Sequence, residues 1–509
     1  MSWPLFILIA APVIAGLGSL LVQQRRAIEV LQCALAGTML ATAVLVAGQV
    51  VAVGEVFVGD FLQADALSAW LDLILGFVGS SGTLYAVGYV GEEMDRGHLS
   101  LRRYSQFLCL FDLYLATMLL AVNLDNIAIL WIAIEGSTLT AALLIGFDRS
   151  KAALEAGWKF IIVGSVGIVL GLFGTILVYY SSEHILGVSN EALRWSQLYR
   201  VAAELDPAAI KAAFIFALIG YGTKAGVAPM HTWLPDAHAE APTPVSAMLS
   251  ANMLTIAVYA ILRFQAVTDR SVGPEFAGKL MIGLALLSLA VSAIYILVQR
   301  DYKRLFAYSS IEHIGIALLG FGIGGLGVFA GAWHLMNHAL AKSTAFYGAG
   351  IVFLRYNHKS LDRVTGLLGQ MPVAGTAILV AGIALAGMPP FGLFTSEVLI
   401  VARSYTVRPE LAFVFLALLA LAFATLLYQV LRMVVGAPGE AGTALTRQCR
   451  IFTSAAVGIN IVAMGIIGLY MPPGLETLLA SIVKVFGAGM GSAQVSTSIA
   501  PVGVLLGIP

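Results

Sequence analysis

Residues 213–264 read AFIFALIGYGTKAGVAPMHTWLPDAHAEAPTPVSAMLSANMLTIAVYAILRF: an apolar run with Lys224 at its middle, a polar turn, then a second apolar run. A lysine at bilayer depth costs about 2.5–3.5 kcal/mol even on the lenient insertion scale, and such residues mark ion paths. Gly220, Gly222, Gly226 and Pro229 crowd the second half of the first run, and a proline removes a backbone donor there. The stretch therefore predicts a broken membrane helix carrying a buried cation, which is a transport element.

The rest of the chain agrees. Of 509 residues, 59% are hydrophobic and only 11% charged, against about 25% charged in soluble proteins. A net charge of zero argues against nucleic acid as a partner. Cys33, Cys109 and Cys449 lie far apart and form no C-x-x-C pair, so neither a disulfide framework nor an iron–sulfur site is expected.

With about 20 residues needed per crossing, the apolar runs give an all-α polytopic membrane protein of about fourteen spans. The first span has no basic residue before it and Arg25 and Arg26 after it, as in a retained span whose N-terminus lies outside. Odd-numbered loops hold 17 of the 28 Lys and Arg residues and even-numbered loops hold 9, with Lys224 and Lys342 left inside spans. That bias places the odd loops in the cytoplasm and both termini outside.

A second interrupted segment, AGIALAGMPPFGLFTSEVLIVA at residues 381–402, is broken at Pro389-Pro390 and carries Glu397. Two interrupted segments in corresponding positions point to an inverted-repeat transporter. The expected organisation is an N-terminal three-helix segment (1–105), a first repeat of helices 4–8 (106–265), a second of helices 9–13 (278–435), and helix 14 with a tail (436–509), helices 7 and 12 being broken.

Glu135 lies near the middle of the fifth predicted span. Its plain reading is a structural carboxylate; its sharper one is the partner of Lys224. Opposite charges about 4 Å apart attract by about 4 kcal/mol at an effective dielectric near 20, so joining or parting the pair can load or release a proton. In the eleventh span, His334, His338 and Lys342 follow at four-residue steps, which puts them on one helix face about 6 Å apart. Three titratable groups in file suit proton hopping. A metal site on His334 and His338 lacks an obvious third ligand, and none is predicted. His313, read as the start of the tenth span, either continues the file or caps the helix. His231, Asp236 and His238 lie in the polar turn, where proton entry and a plain connecting loop look alike. Lys159 is a possible modulator of the Glu135–Lys224 pair or a snorkelling lysine. Glu397 is the last titratable group before the outside, or a helix N-cap. Gly322, Gly324 and Gly327 match G-x-G-x-x-G, but no strand precedes them, so they are expected to permit close helix packing.

The runs KAGVAPMHTWLPDAHAEAPTPVSAMLS, DYKRLFAYSSIEHIG and HLMNHALAKS resemble the antiporter-like membrane subunits shared by respiratory complex I, Mrp-type antiporters and membrane-bound [NiFe]-hydrogenases. The ending GMPPFGLFTSE is most similar to the hydrogenase-4 component F branch. The resemblance covers roughly residues 60–435 and implies fourteen helices, two inverted five-helix repeats and a polar axis in the membrane plane. It also implies that Glu135, Lys224, Lys342 and Glu397 are the family's proton-path residues and that His313, His334 and His338 line the same axis. Iron–sulfur, nickel–iron or flavin groups are then expected only on partner subunits of a multisubunit complex with a soluble redox arm. The expected location is a bacterial or archaeal cytoplasmic membrane.

Two departures stand out. The eighth span offers only Ser250, Asn252 and Thr255 where some relatives carry a lysine or histidine. Residues 474–509 contain a short amphipathic piece and an apolar tail, too little to strap neighbouring subunits. The leading expectation is a proton-translocating subunit with no redox chemistry of its own. Alternatives are a sodium/proton antiporter subunit, an inorganic-carbon uptake subunit, and a membrane scaffold that does not pump.

Overall fold

The structure is a computed structural model that describes residues 2–437 and 442–487; the apolar tail from residue 488 lies outside the described residues. Apart from one hairpin, Val56–Val58 with Leu62–Ala64, the long elements are helices. They are α1 (Trp3–Leu21), α2 (Arg25–Val53), α3 (Ala66–Asp95), α4 (Leu101–Val122), α5 (Ile127–Ile145), α6 (Lys151–Leu186), α7 (Pro207–Ala225) and α8 (Thr243–Ser271). There follow α9 (Pro274–Val298), α10 (Tyr302–Ile323), α11 (Leu326–Tyr356), α12 (Pro372–Leu385), α13 (Gly392–Val407), α14 (Pro409–Val434), α15 (Arg447–Leu469) and α16 (Pro473–Phe486). Twelve helices among the described residues are long and apolar enough to cross a membrane. The 31-residue α11 and the short pair α12 and α13 are not among the twelve.

Local signals set the helix starts. Asn126 accepts from the N–H groups of Ala128 and Ile129 at the head of α5, Ser150 from Ala153 on α6, and Asp206 from Ala208 and Ala209 on α7. These are N-caps, which satisfy donors that a helix start leaves orphaned. Asp301 does the same for α10, so His313 lies mid-helix and not at a helix start; its reading as a cap is corrected. Glu397 is the sixth residue of α13, past the first turn, so it is no N-cap either.

The broken helices are where the sequence placed them, with one shift. α7 ends directly after Lys224, because Gly226 takes the left-handed conformation (φ +72°) that closes the helix; Lys224 thus occupies the last turn. Upstream, α7 lies against α6 so closely that a Cβ on Gly220 would strike the backbone of Gly167 and Gly171. The tight crossing fixes Lys224, one turn on. The predicted twelfth span is the two helices α12 and α13, parted around Pro389-Pro390.

Burial grades inward. The apolar stretch of α8 is wholly enclosed, whereas 33% of that of α1, 33% of that of α14 and 28% of that of α15 is buried. Exposed apolar side chains on α5 and α6, among them Ile132, Leu143, Trp158 and Val166, form the outer surface, as expected of helices against lipid or neighbouring membrane subunits. Within the core, the G-x-G-x-x-G run marks the turn between α10 and α11: Gly322 abuts the backbone of Gly278, and Gly327 that of Gly320. Several basic residues counted among the loops lie within helices, and two of them are buried: Arg263 in α8, paired with Asp65, and Lys303 in α10, whose Nζ donates to the Ala241 carbonyl at 2.7 Å.

Candidate functional site

Two buried lysines anchor the interior, and each is held the same way. Lys224 Nζ donates to the Ile134 carbonyl at 2.9 Å and to the Thr138 hydroxyl. Lys342 Nζ donates to the Phe306 carbonyl at 2.9 Å and to the Ser309 hydroxyl at 2.7 Å. In both cases a neighbouring helix offers a carbonyl and a hydroxyl from one turn. Both lysines are buried, where an ammonium without such partners costs several kcal/mol, roughly.

Glu135 does not touch Lys224 directly, which corrects the contact the sequence suggested. The Thr138 hydroxyl stands between, 3.1 Å from Glu135 Oε2, and Ser165 reaches Oε1 at 3.4 Å. Thr138 sits three residues after Glu135, almost a full turn, so both side chains leave α5 towards α7. Glu135 is only half-buried.

The second group is denser. His313 Nδ1 lies 3.0 Å from His334 Nε2, and His334 Nδ1 lies 2.9 Å from Ser396 Oγ. The His338 ring centroid is 5.3 Å from that of His313. Glu397 joins them: one ligating atom each from His313, His334 and Glu397 fall within 4.8 Å of one another. Three helices, α10, α11 and α13, supply this cluster, and every member is buried. Glu312 lies beside it, buried, with Oε2 unpartnered among the described residues. Glu312 is not among the residues singled out from the sequence. A mid-helix acid would have stood out had the start of α10 been set at Asp301.

The remaining predicted residues separate. Asp236 lies at the rim and accepts from Lys159 at 3.1 Å and Arg304 at 2.8 Å, while Lys159 also pairs with Glu155 at 2.7 Å. Lys159 thus engages Asp236 rather than Glu135 or Lys224. His231 is half-buried near the Tyr308 ring. His238 is different: fully buried in the short helix Leu234–Glu240, it stacks on Phe346 of α11 and faces the Ser246 carbonyl at 3.2 Å. Phe346 follows Lys342 by one turn, so His238 belongs to the interior and not to a connecting loop.

At α8 the expected gap takes a definite form. Residues Leu249–Met253 are a π-helical turn, a widening common at functional sites. Ser250 on that turn meets Ser310 at 2.8 Å. Ser310 in turn donates to the Phe306 carbonyl that also receives Lys342. Lys342 and the Ser250–Ser310 hydroxyl pair therefore meet at one acceptor, the Phe306 carbonyl.

Residues 125–424 match the family described as NADH:quinone oxidoreductase/Mrp antiporter, transmembrane. The hydrogenase-4 component F homolog of Methylacidiphilum infernorum (isolate V4) is 37% identical over 417 residues, 82% of this chain and 86% of that protein. NADH-quinone oxidoreductase subunit L of Mycobacterium tuberculosis (strain ATCC 25618 / H37Rv) is 32% identical over 351 residues, 67% of this chain but 52% of that subunit. Among solved structures, a chain of the archaeal membrane-bound sulfane sulfur reductase superposes with a TM-score of 0.81 at 22% identity, covering 97% of this chain and 99% of that one. A chain of the Mrp complex from Dietzia sp. DQ12-45-1b gives 0.80 at 20% identity, covering 98% and 100%. These two show the fold alone. A family match over more than half the chain, with a relative so similar along most of both sequences, places this protein among the antiporter-like membrane subunits of the NADH:quinone oxidoreductase/Mrp antiporter family.

Proposed function

We propose that this chain is the proton-translocating subunit of a membrane-bound hydrogenase or complex-I-like redox complex, moving protons along the series Glu135, Lys224, Lys342, His338, His313, His334 and Glu397. The observation that carries this is the likeness of the two lysine sites. Each ammonium rests on a carbonyl and a hydroxyl of the adjacent helix, and the imidazole and carboxyl groups continue from Lys342 to Glu397. Buried polar atoms without partners among the described residues line the same route: His238 Nε2, Asn252 Oδ1, both His338 nitrogens, Glu312 Oε2 and Glu397 Oε1. Such atoms are satisfied by water, and water between titratable groups is what proton hopping requires. Sodium prefers several hard oxygen ligands, and a nitrogen-rich route favours protons.

The packing order supports the finer architecture of fourteen crossings in two inverted repeats. Helices α4 to α8 pack each on the next, and the order recurs in α9, α10, α11, the pair α12 and α13, and α14. In this reading both termini lie outside a bacterial or archaeal cytoplasmic membrane. The energy comes from a soluble redox arm whose iron–sulfur, nickel–iron or flavin groups reside on partner subunits, with no cofactor on this chain. The relatives include a hydrogenase-4 component and a subunit of NADH-quinone oxidoreductase, which supports membership of such a complex.

The test is redox-driven proton uptake into inverted vesicles holding the intact complex, with Lys224→Ala compared to wild type at equal assembly and equal redox turnover. It is run without sodium and then with it. Loss of uptake with electron transfer intact, in sodium-free buffer, supports the reading. Unchanged uptake overturns it, and uptake that appears only with sodium reassigns the ion.

A further inference from the structure

His334 and His338, one turn apart, make a poor metal site alone; tertiary packing supplies better partners for His334. His313 from α10 and Glu397 from α13 bring ligating atoms within 4.8 Å of one another and of His334. The closest pair, His313 Nδ1 and His334 Nε2, is 3.0 Å apart. A tetrahedral ion with bonds of about 2.0–2.1 Å holds its ligands about 3.3–3.4 Å apart, so these two imidazoles nearly span an edge already.

The orientation of His334 is set from behind. Ser396 Oγ lies 2.7 Å from the Leu393 carbonyl, to which it donates, and 2.9 Å from His334 Nδ1. With its proton spent on Leu393, the hydroxyl accepts from Nδ1–H, which leaves the Nε2 lone pair aimed into the cluster. A ligating histidine held through its other nitrogen is the usual supporting arrangement. Glu397 contributes Oε1, which has no partner among the described residues although the side chain is buried. His338 stands next to His313 with both nitrogens likewise unpartnered and is placed to become a fourth ligand. Two histidines and a carboxylate with one position open is a donor set that zinc takes. The nearby carboxyl of Glu312, within electrostatic reach of Glu397, offsets the second positive charge that a dication brings close to Lys342.

We propose that His313, His334 and Glu397 form a binding site for a divalent transition-metal ion of the zinc class, and that its occupation blocks proton transfer; the blocking, though not the binding, rests on the function proposed above. The ion competes with protons for the same lone pairs, because ligands coordinate deprotonated. Under the proposed function the site is inhibitory, because a bound ion occupies the His313–His334 link.

The test uses the purified intact complex titrated with zinc chloride, counting tightly bound zinc by elemental analysis and reading its ligands by zinc-edge X-ray absorption. Glu397→Gln and His313→Gln keep the side-chain volume close, and assembly is checked for each. The expected result is one zinc per chain in wild type that both variants bind at least about tenfold more weakly, with imidazole scattering in the absorption spectrum. His98→Ala and His184→Ala, at exposed histidines, leave that zinc in place. Equal zinc in wild type and variants, an adventitious ion only, overturns the site. In vesicles, zinc is expected to slow wild-type proton uptake at constant redox turnover. Zinc bound at these residues with uptake unaffected keeps the binding site but removes this cluster from the proton path.

Discussion

Thr138 and Ser309 do the same task on two different helices, holding an ammonium that lipid and protein would otherwise leave uncompensated. Removing a buried partner of a charged group costs about 1.5–3 kcal/mol, and every 1.4 kcal/mol is about tenfold in an equilibrium. Thr138→Val is therefore expected to slow redox-driven proton uptake about tenfold or more, whereas Thr138→Ser, which keeps the hydroxyl, retains most of it; equal rates for the two would show the hydroxyl to be idle. A second residue-scale prediction concerns Arg263, whose guanidinium grips Asp65 at 2.5 and 2.8 Å and lies over the Trp195 and Tyr259 rings. Burial pushes the Asp65 carboxyl up, but Arg263, with the N–H of Ser68, more than offsets it and holds the group below the usual carboxylate range. A group lowered in the folded state adds stability above its unfolded pKa and loses it as pH falls through the folded one. The clamp should thus persist at neutral and mildly acidic pH and fail only below the ordinary carboxylate range. Asp65→Ala leaves the guanidinium buried and unpaired, a loss of about 3–5 kcal/mol, which thermal unfolding in detergent would register.

Among elements, the α6–α7 crossing decides where Lys224 sits. A side chain at Gly220 meets the backbone of Gly167 and Gly171, which cannot yield as a flexible side chain can. Overpacking of this kind costs about 1–3 kcal/mol, so Gly220→Val should lower the unfolding temperature and reduce proton uptake together by shifting Lys224 off Ile134 and Thr138. Gly283 in α9 faces open space, and Gly283→Ala, by the helix preference for alanine of about 0.5–1 kcal/mol, should be neutral or mildly stabilising. If Gly220→Val behaves like Gly283→Ala, the crossing is looser than its geometry. The element α16 shows the limit of a compositional reading. It packs on α2, α3 and α11 of its own chain, and the Val485 carbonyl receives Tyr199 Oη at 2.7 Å.

At the scale of the whole molecule, the proposed function makes the two lysine sites steps either of one route or of two. Groups that act in series are non-additive when removed together. Lys224→Ala with Lys342→Ala should therefore pump no worse than the weaker single variant, measured as protons taken up per electron transferred; losses that multiply would indicate parallel routes. The link through Ser310 and the π turn at Ser250 makes the series arrangement the expected one.

The membrane class, the two interruptions and three of the buried charged residues, Lys224, Lys342 and Glu397, are written in the chain itself. Hydropathy, proline and glycine placement, and the cost of a charge in lipid act locally and leave their mark along the chain. Lys224, Lys342 and Glu397 were legible because nothing but function or pairing keeps such residues among apolar neighbours. Who meets whom follows from the packing of the helices. Thr138 parts Glu135 from Lys224, His238 turns inward onto Phe346, and Glu312 lies in the interior beside Lys342. His313 and Glu397 reach His334 from α10 and α13 on either side of α11. Those contacts arise from how helices cross, which depends on small residues at their interfaces and on turns such as Gly226, and no spacing along one helix encodes a partner on another.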